Sequence, residues 1–228
     1  MRADTPPGMK AATDIVKAKD LVAGGLAAEN AKDLLIRLTL DMLGVPYRYV
    51  TSYRGSSAAR MALQQGEINF YSESPPSYRG VIEPSLVRDG IVMPVFYDPG
   101  YDGETFRVPK QVEGLPILPF HELYQKAKGT MPFGKLWDIY RTILAVNGAM
   151  QRMILMPPGA PASAAATLRT AILRLNADAG YADESVKSIG FVPQWEASAD
   201  TNRQVRKALT TPPDTRAFIA DYIKSANK

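Results

Sequence analysis

The chain has 228 residues, 46% of them apolar and 22% charged, enough to bury the core of one large domain or two small ones. It contains no cysteine, which excludes disulfides, thiolate metal sites and a cysteine nucleophile. The net charge of +4 favours anionic partners weakly, but the cations form no block and do not alternate with aromatic residues, so no nucleic-acid partner is expected.

No window approaches the roughly 20 continuous apolar residues of a membrane helix. The best runs, around Ile91 to Tyr97 and Met153 to Met156, are short and proline-bounded or proline-interrupted. Met1 to Lys10 lacks the apolar core of a secretory signal, so the chain is expected to be cytoplasmic, already processed, or part of something longer.

Asp20 to Ala23 is a short apolar run ending at Gly24-Gly25. A helical pattern follows in Ala31, Leu35, Leu38 and Met42, with Asn30 as the cap, Asp33 three residues on, and Gly44 and Pro46 as the stop. The unit repeats as a strand over Tyr47 to Thr51, a polar loop over Ser52 to Ser57 and a short helix over Ala58 to Gln65, closed by Gly66. A third strand is predicted at Ile68 to Tyr71, then a loop from Ser72, helical material over Ser77 to Arg88, and a fourth strand at Ile91 to Tyr97.

Such alternation predicts an α/β fold with a mostly parallel sheet. Asp98 to Pro119, rich in glycine, proline and charge, reads as a surface excursion. Leu136, Ile139, Tyr140, Ile143 and Leu144 then mark a strongly amphipathic helix. Met153 to Met156 is a candidate strand, Leu168, Ala171, Ile172 and Leu175 a further helix, and Phe191-Val192 a short strand. Phe218, Ile219, Tyr222 and Ile223 form the apolar stripe of a last helix starting near Pro213.

Motifs for catalysis are absent. His121 is the single histidine and no G-x-S-x-G elbow accompanies it, so it reads as part of a short helix whose Phe120, Leu123 and Tyr124 pack inward. One histidine excludes an H-E-x-x-H zinc site, and Asp98, Asp102 and Glu104 lack the closing glutamate of a calcium loop, Pro109 standing in its place. No P-loop and no G-x-G-x-x-G occurs, so no cofactor is expected and the chain does not read as an enzyme.

Three strand-to-helix loops remain: Gly24 to Glu29, Ser52 to Ser57 and Ser72 to Ser77. In a parallel sheet they emerge together at the carboxyl edge, where helix N-termini offer N–H groups to an anion. The candidate ligand-binding residues are Gly24, Gly25, Tyr53, Arg54, Gly55, Ser56, Ser57, Ser72 and Glu73. The glycines allow close backbone approach, the serines add hydroxyls, and Arg54 suits a carboxylate. Tyr53, Tyr71 and Tyr78 are candidates for the pocket wall.

With these residues in view, Gly55-Ser56-Ser57-Ala58-Ala59-Arg60-Met61-Ala62-Leu63, Gly66-Glu67-Ile68-Asn69, Met156-Pro157-Pro158-Gly159-Ala160-Pro161 and the Leu175 to Gly190 stretch carry a resemblance. The chain resembles the extracytoplasmic solute receptors of tripartite tricarboxylate transporters, the Bug or TctC-like periplasmic binding proteins. The resemblance implies a type II periplasmic-binding-protein-like fold: residues 8–149 as the ligand-binding second lobe, residues 150–228 as the mainly helical C-terminal part of the first, and the opening elements of that first lobe missing. It maps ligand carboxylate to Gly24-Gly25 and Gly55-Ser56. Asn69 stands where the family often has aspartate, and Arg54 where it has a second glycine. The implied function is capture of a small organic acid, a di- or tricarboxylate or related carboxylate, for membrane transporter subunits in the periplasm. The alternative is an intracellular effector-sensing or partner-binding module on the same fold.

Overall fold

The chain, seen in a computed structural model whose described residues are 1–150, 153–189, 192–198, 203, 205–206 and 210–226, is a mixed α/β protein. A 3-10 turn at Ala12–Lys17 precedes β1, Leu21–Gly24, and α1, Ala31–Leu43. The Asn30 side chain caps α1 by accepting from the Lys32 N–H, and Gly44 ends it in the left-handed conformation at φ 65°. Leu34, Leu35, Ile36, Leu38, Leu40 and Leu43 are all buried. The helix is therefore enclosed on nearly every side, beyond the single stripe that its periodicity predicts.

β2, Tyr47–Val50, pairs with β1 in parallel, Leu21 opposite Tyr47. On the other edge of β1 the predicted third strand contributes a parallel bridge, Ala23 to Phe70, and the Asn69 side chain ties the two by accepting from the Val22 N–H and donating to the Asp20 carbonyl. Between them runs α2, Ser56–Gln65. The parallel sheet is thus a small nucleus with β1 in the middle. Among the described residues the Ile91 to Tyr97 run joins no ladder, and makes single bridges, Val92 to Arg2 and Tyr97 to Pro119.

The helical stretch after the third loop opens as α3, Pro75–Ser77, with Ser74 as its cap, and continues as a π-helix over Tyr78–Val87. Pro84 inside it has no N–H to give a preceding turn, and the widened register shows in the Arg88 N–H reaching the Glu83 carbonyl. The Asp98 to Pro119 excursion contains an antiparallel hairpin, β3 Gly100–Tyr101 with β4 Phe106–Arg107. Asp102 holds its turn, accepting from the Glu104 and Thr105 N–H groups and from Arg107.

α4, Phe120–Lys128, and α5, Lys135–Met150, close the core against α1. Phe120, Leu123, Ile139, Tyr140, Ile143 and Leu144 are buried there, as the stripe predicts. His121 stacks on Phe106 with ring centroids 4.4 Å apart. The last helix, α8, Pro213–Ser225, packs Phe218, Ile219, Tyr222 and Ile223 onto the same core.

Between them the picture changes. Met153 to Met156 is extended but unpaired, with all four side chains exposed. α6, Ala162–Arg174, has no buried residue, and α7, Ala179–Ile189, buries only Ser185. Leu168 of the predicted stripe is 37% exposed. Nothing among the described residues covers this apolar unit, which is why its pattern does not become burial. Phe191 of the predicted short strand lies outside the described residues, and Val192 is not in a strand.

One half-buried aspartate with an enclosed carboxyl group gives the core a pH dependence. Asp98 accepts from the Tyr140 hydroxyl at 2.7 Å, and burial pushes it up to about 6, a rise the hydrogen bond only partly offsets. Its folded-state value lies above the unfolded one, so its ionisation opposes folding: stability is full below about pH 4 and falls as pH rises to about 6. The gap from the ordinary value corresponds to about 3 kcal/mol, and the partly exposed setting of the residue lowers it to about 2. Asp98→Asn is expected to gain about 2 kcal/mol relative to wild type between about pH 4 and pH 7 in urea titrations. A difference that stays constant with pH contradicts this role.

Candidate functional site

The three predicted loops do meet at the carboxyl end of β1, but their N–H groups are not equally free. The Gly24 N–H donates to the Phe70 carbonyl and the Gly25 N–H to the Val50 carbonyl, both at 2.8 Å. Asp33 takes the Ala27 N–H at 3.0 Å and also the Tyr49 hydroxyl at 2.5 Å. The first loop is therefore internally satisfied, and Gly24 and Gly25 serve by close approach. A Cβ on Gly24 would run into Ile68, and one on Gly25 into Asp33 and Tyr49. The third loop is likewise committed, since Ser74 caps the following helix.

The second loop is different. Gly55, at φ 103°, is the N-cap of α2 and has no side chain to give, so the leading N–H groups of that helix meet no side-chain cap. Ser56 stands at its first position. The Lys32 ammonium donates to the Tyr71 hydroxyl at 2.6 Å and to Ser56 Oγ at 3.4 Å, and Tyr71 donates to Ser56 Oγ at 3.1 Å. The ammonium also lies 4.4 Å from the centre of the Tyr71 ring. The chain of donors runs from lysine through tyrosine to serine, leaving the Ser56 proton to give outward at a helix N-terminus.

Beside it, Arg60 bonds Ser57 Oγ at 3.1 Å and lies 3.5 Å from Glu73 Oε1. The Glu73 side chain is 9% exposed and that oxygen has no hydrogen-bond partner among the described residues. Burial pushes Glu73 above the ordinary carboxylate range, while Arg60 and then Lys32 pull it back.

Of the predicted residues, Ser56, Ser57 and Glu73 thus belong to one polar cluster, and Gly55 shapes its mouth. Tyr53 packs half-buried on the smaller apolar cluster of Ala59, Leu63, Ile82 and Leu86. Arg54 is exposed, and Ser72 is half-buried. Lys32 was not among the predicted residues. Its signal is a lysine in the first turn of a helix, where the macrodipole disfavours a cation and another use is implied. Tyr71 is read from sequence only as wall, whereas its hydroxyl is the link in the donor chain.

A cavity of about 330 Å³ lies between α1, α5 and α8, lined by Leu34, Ile143, Val146, Ile219 and Ile223, and shares none of these polar side chains. Among the described residues no cluster of histidine and carboxylate side chains suits a metal ion, and no helix is long and apolar enough to cross a membrane. The chain matches no family model, no curated protein and no solved structure.

Proposed function

We propose that the chain is a solute-binding receptor that holds a small organic acid and passes it to membrane transporter subunits, without catalysing a reaction. The observation that carries this reading is the donor chain from Lys32 through Tyr71 to Ser56 beside the uncapped start of α2. A carboxylate there meets an ammonium, a hydroxyl polarised by two donors, and helix N–H groups, all complementary to negative charge. Further support comes from the resemblance to the extracytoplasmic receptors of tripartite tricarboxylate transporters, whose Gly55-Ser56 position coincides with this mouth. On this reading the protein works in the periplasm, and its fold is of type II, with residues 8–149 forming the ligand-binding lobe.

Thermal unfolding with a panel of mono-, di- and tricarboxylates tests the reading. A ligand at about 100 times its dissociation constant stabilises the protein by about 2.7 kcal/mol. Lys32→Met and Ser56→Ala are each expected to weaken binding of the stabilising acid at least tenfold by calorimetric titration, about the worth of one charge-assisted hydrogen bond. If both variants fold and bind as wild type does, the ligand is held elsewhere.

A further inference from the structure

The carboxylate-binding cluster contains more cations than one ligand carboxylate needs, and also an acid of its own. Lys32 and Arg60 supply two positive charges and Glu73 one negative charge, all within one network of loops and helix starts. Arg60 is already spent: its Nε faces Glu73 Oε1 at 3.5 Å, and its terminal nitrogen bonds Ser57. Both side chains are largely enclosed, at 20% and 9% exposure, so solvent screens this pair weakly. Lys32, in contrast, bonds two neutral hydroxyls and forms no ion pair among the described residues. Asp33 and Glu73 feel its charge without touching it, so Lys32 is the cation of the cluster left to meet an added carboxylate directly.

We propose that Glu73 is the specificity-determining residue of the site, restricting it to ligands with a single carboxylate. The inference rests on the carboxylate-binding reading of the same residues. The first carboxylate neutralises Lys32 and takes the Ser56 proton. A second, on a short dicarboxylate, finds Arg60 occupied and the Glu73 carboxylate beside it, and two like charges at close range in a poorly screened site repel strongly. Glu73 thus acts in place of the second acid group that a dicarboxylate would bring.

Matched acids of equal carbon number separate this from a general preference for size: butyrate against succinate, and valerate against glutarate, titrated calorimetrically at pH 7.5. Wild type is expected to bind the monoacid of each pair at least tenfold more tightly. Glu73→Gln, which keeps the shape and frees Arg60, is expected to lower that ratio at least tenfold. Arg60→Gln is expected to raise it, because Glu73 then stands without its counter-ion. Asp89→Asn, in the exposed Arg88–Asp89 pair, is the control and leaves the ratio in place.

A wild-type protein that prefers the diacids overturns the inference even if Glu73→Gln does not fold. So does a folded Glu73→Gln whose ratio is unmoved. In both cases carboxylates still bind and the receptor reading stands. Failure of every acid to bind wild type removes the receptor reading, and the inference with it.

Discussion

Replacing Gly25 with valine is expected to destabilise the protein by about 4 kcal/mol and to abolish carboxylate binding in whatever folded fraction remains. The expectation follows from what surrounds the residue. Its N–H completes the sheet to Val50, and its Cα faces Asp33 and Tyr49 so closely that a Cβ would overlap the Asp33 carboxylate and come within 2.7 Å of the Tyr49 ring and hydroxyl. Asp33 is fully buried and already raised by desolvation, so it has nowhere wet to retreat to. Overpacking of a tight site contributes about 1–3 kcal/mol, and loss of the buried Tyr49–Asp33 bond adds about 1–3 more. Lys32 precedes Asp33 in the same helical turn, so displacing Asp33 also moves the ammonium from Tyr71.

Gly55→Ala makes the contrast. Nothing lies within 4 Å of a Cβ there, and the only obstacle is the φ of 103°. That substitution is expected to lose about 1–2 kcal/mol, so chemical denaturation of the two variants distinguishes crowding from backbone strain. A loss below about 1 kcal/mol for Gly25→Val would mean that the loop yields freely and does not hold Asp33 in place.

How much of this was legible in the sequence depends on where each group finds its partner. The ends of α1 are local events, an asparagine before and a glycine after, and they stand where the sequence predicts them. The stripe of α5 is local too, and it is buried. The Met153 to Met156 run and the α6 stripe have equally good patterns, yet the first stays exposed and the second buries none of its residues. Periodicity states what a segment is able to bury, and the cover must come from elsewhere in space.

The same limit governs the site. Counting serines and glycines finds three loops with spare N–H groups, but distant carbonyls decide which stay spare: Val50 and Phe70 take those of the first loop, while α2 keeps its own. Lys32 and Tyr71 are separated by 39 positions, and nothing in local spacing joins them. The helical stretch over Ser77 to Arg88 is legible, but its π register is not: Pro84 lies inside it, and the chain widens its turn there and continues.

Arg37→Ala is expected to release α8 and to destabilise the protein by about 3–4 kcal/mol. Arg37 is a 3% exposed arginine in the middle of α1, an expensive place for a charge unless its donors are used. One terminal nitrogen donates to the Tyr222 carbonyl at 2.8 Å and to Ser225 Oγ at 3.1 Å, and the guanidinium stacks 4.4 Å over the Tyr222 ring. These contacts cap the C-terminal turn of α8, where a cation also complements the macrodipole. The Tyr222 hydroxyl donates to Asp41 one turn further along α1, so the two helices are fastened at two points.

Removing the guanidinium takes from the half-buried Tyr222 carbonyl one of its two donors, the Ser225 hydroxyl being the other, and opens space beside Tyr49. Its other terminal nitrogen is buried with no partner among the described residues, a cost that the substitution recovers and that keeps the expected loss below the upper range for buried ion pairs. Arg37→Met, which fills the stem volume, is expected to lose only about 1–2 kcal/mol yet still to free the helix. Trypsin reads the difference, because Arg216 and Lys224 are exposed on α8. Faster cleavage at those two sites, in both variants and not in wild type, with the rate at Arg169, Arg174 and Lys187 unchanged, is the expected pattern. Cleavage spread evenly over the chain would show that α8 and the core come apart together, and that Arg37 stabilises the whole fold instead of fastening its last helix.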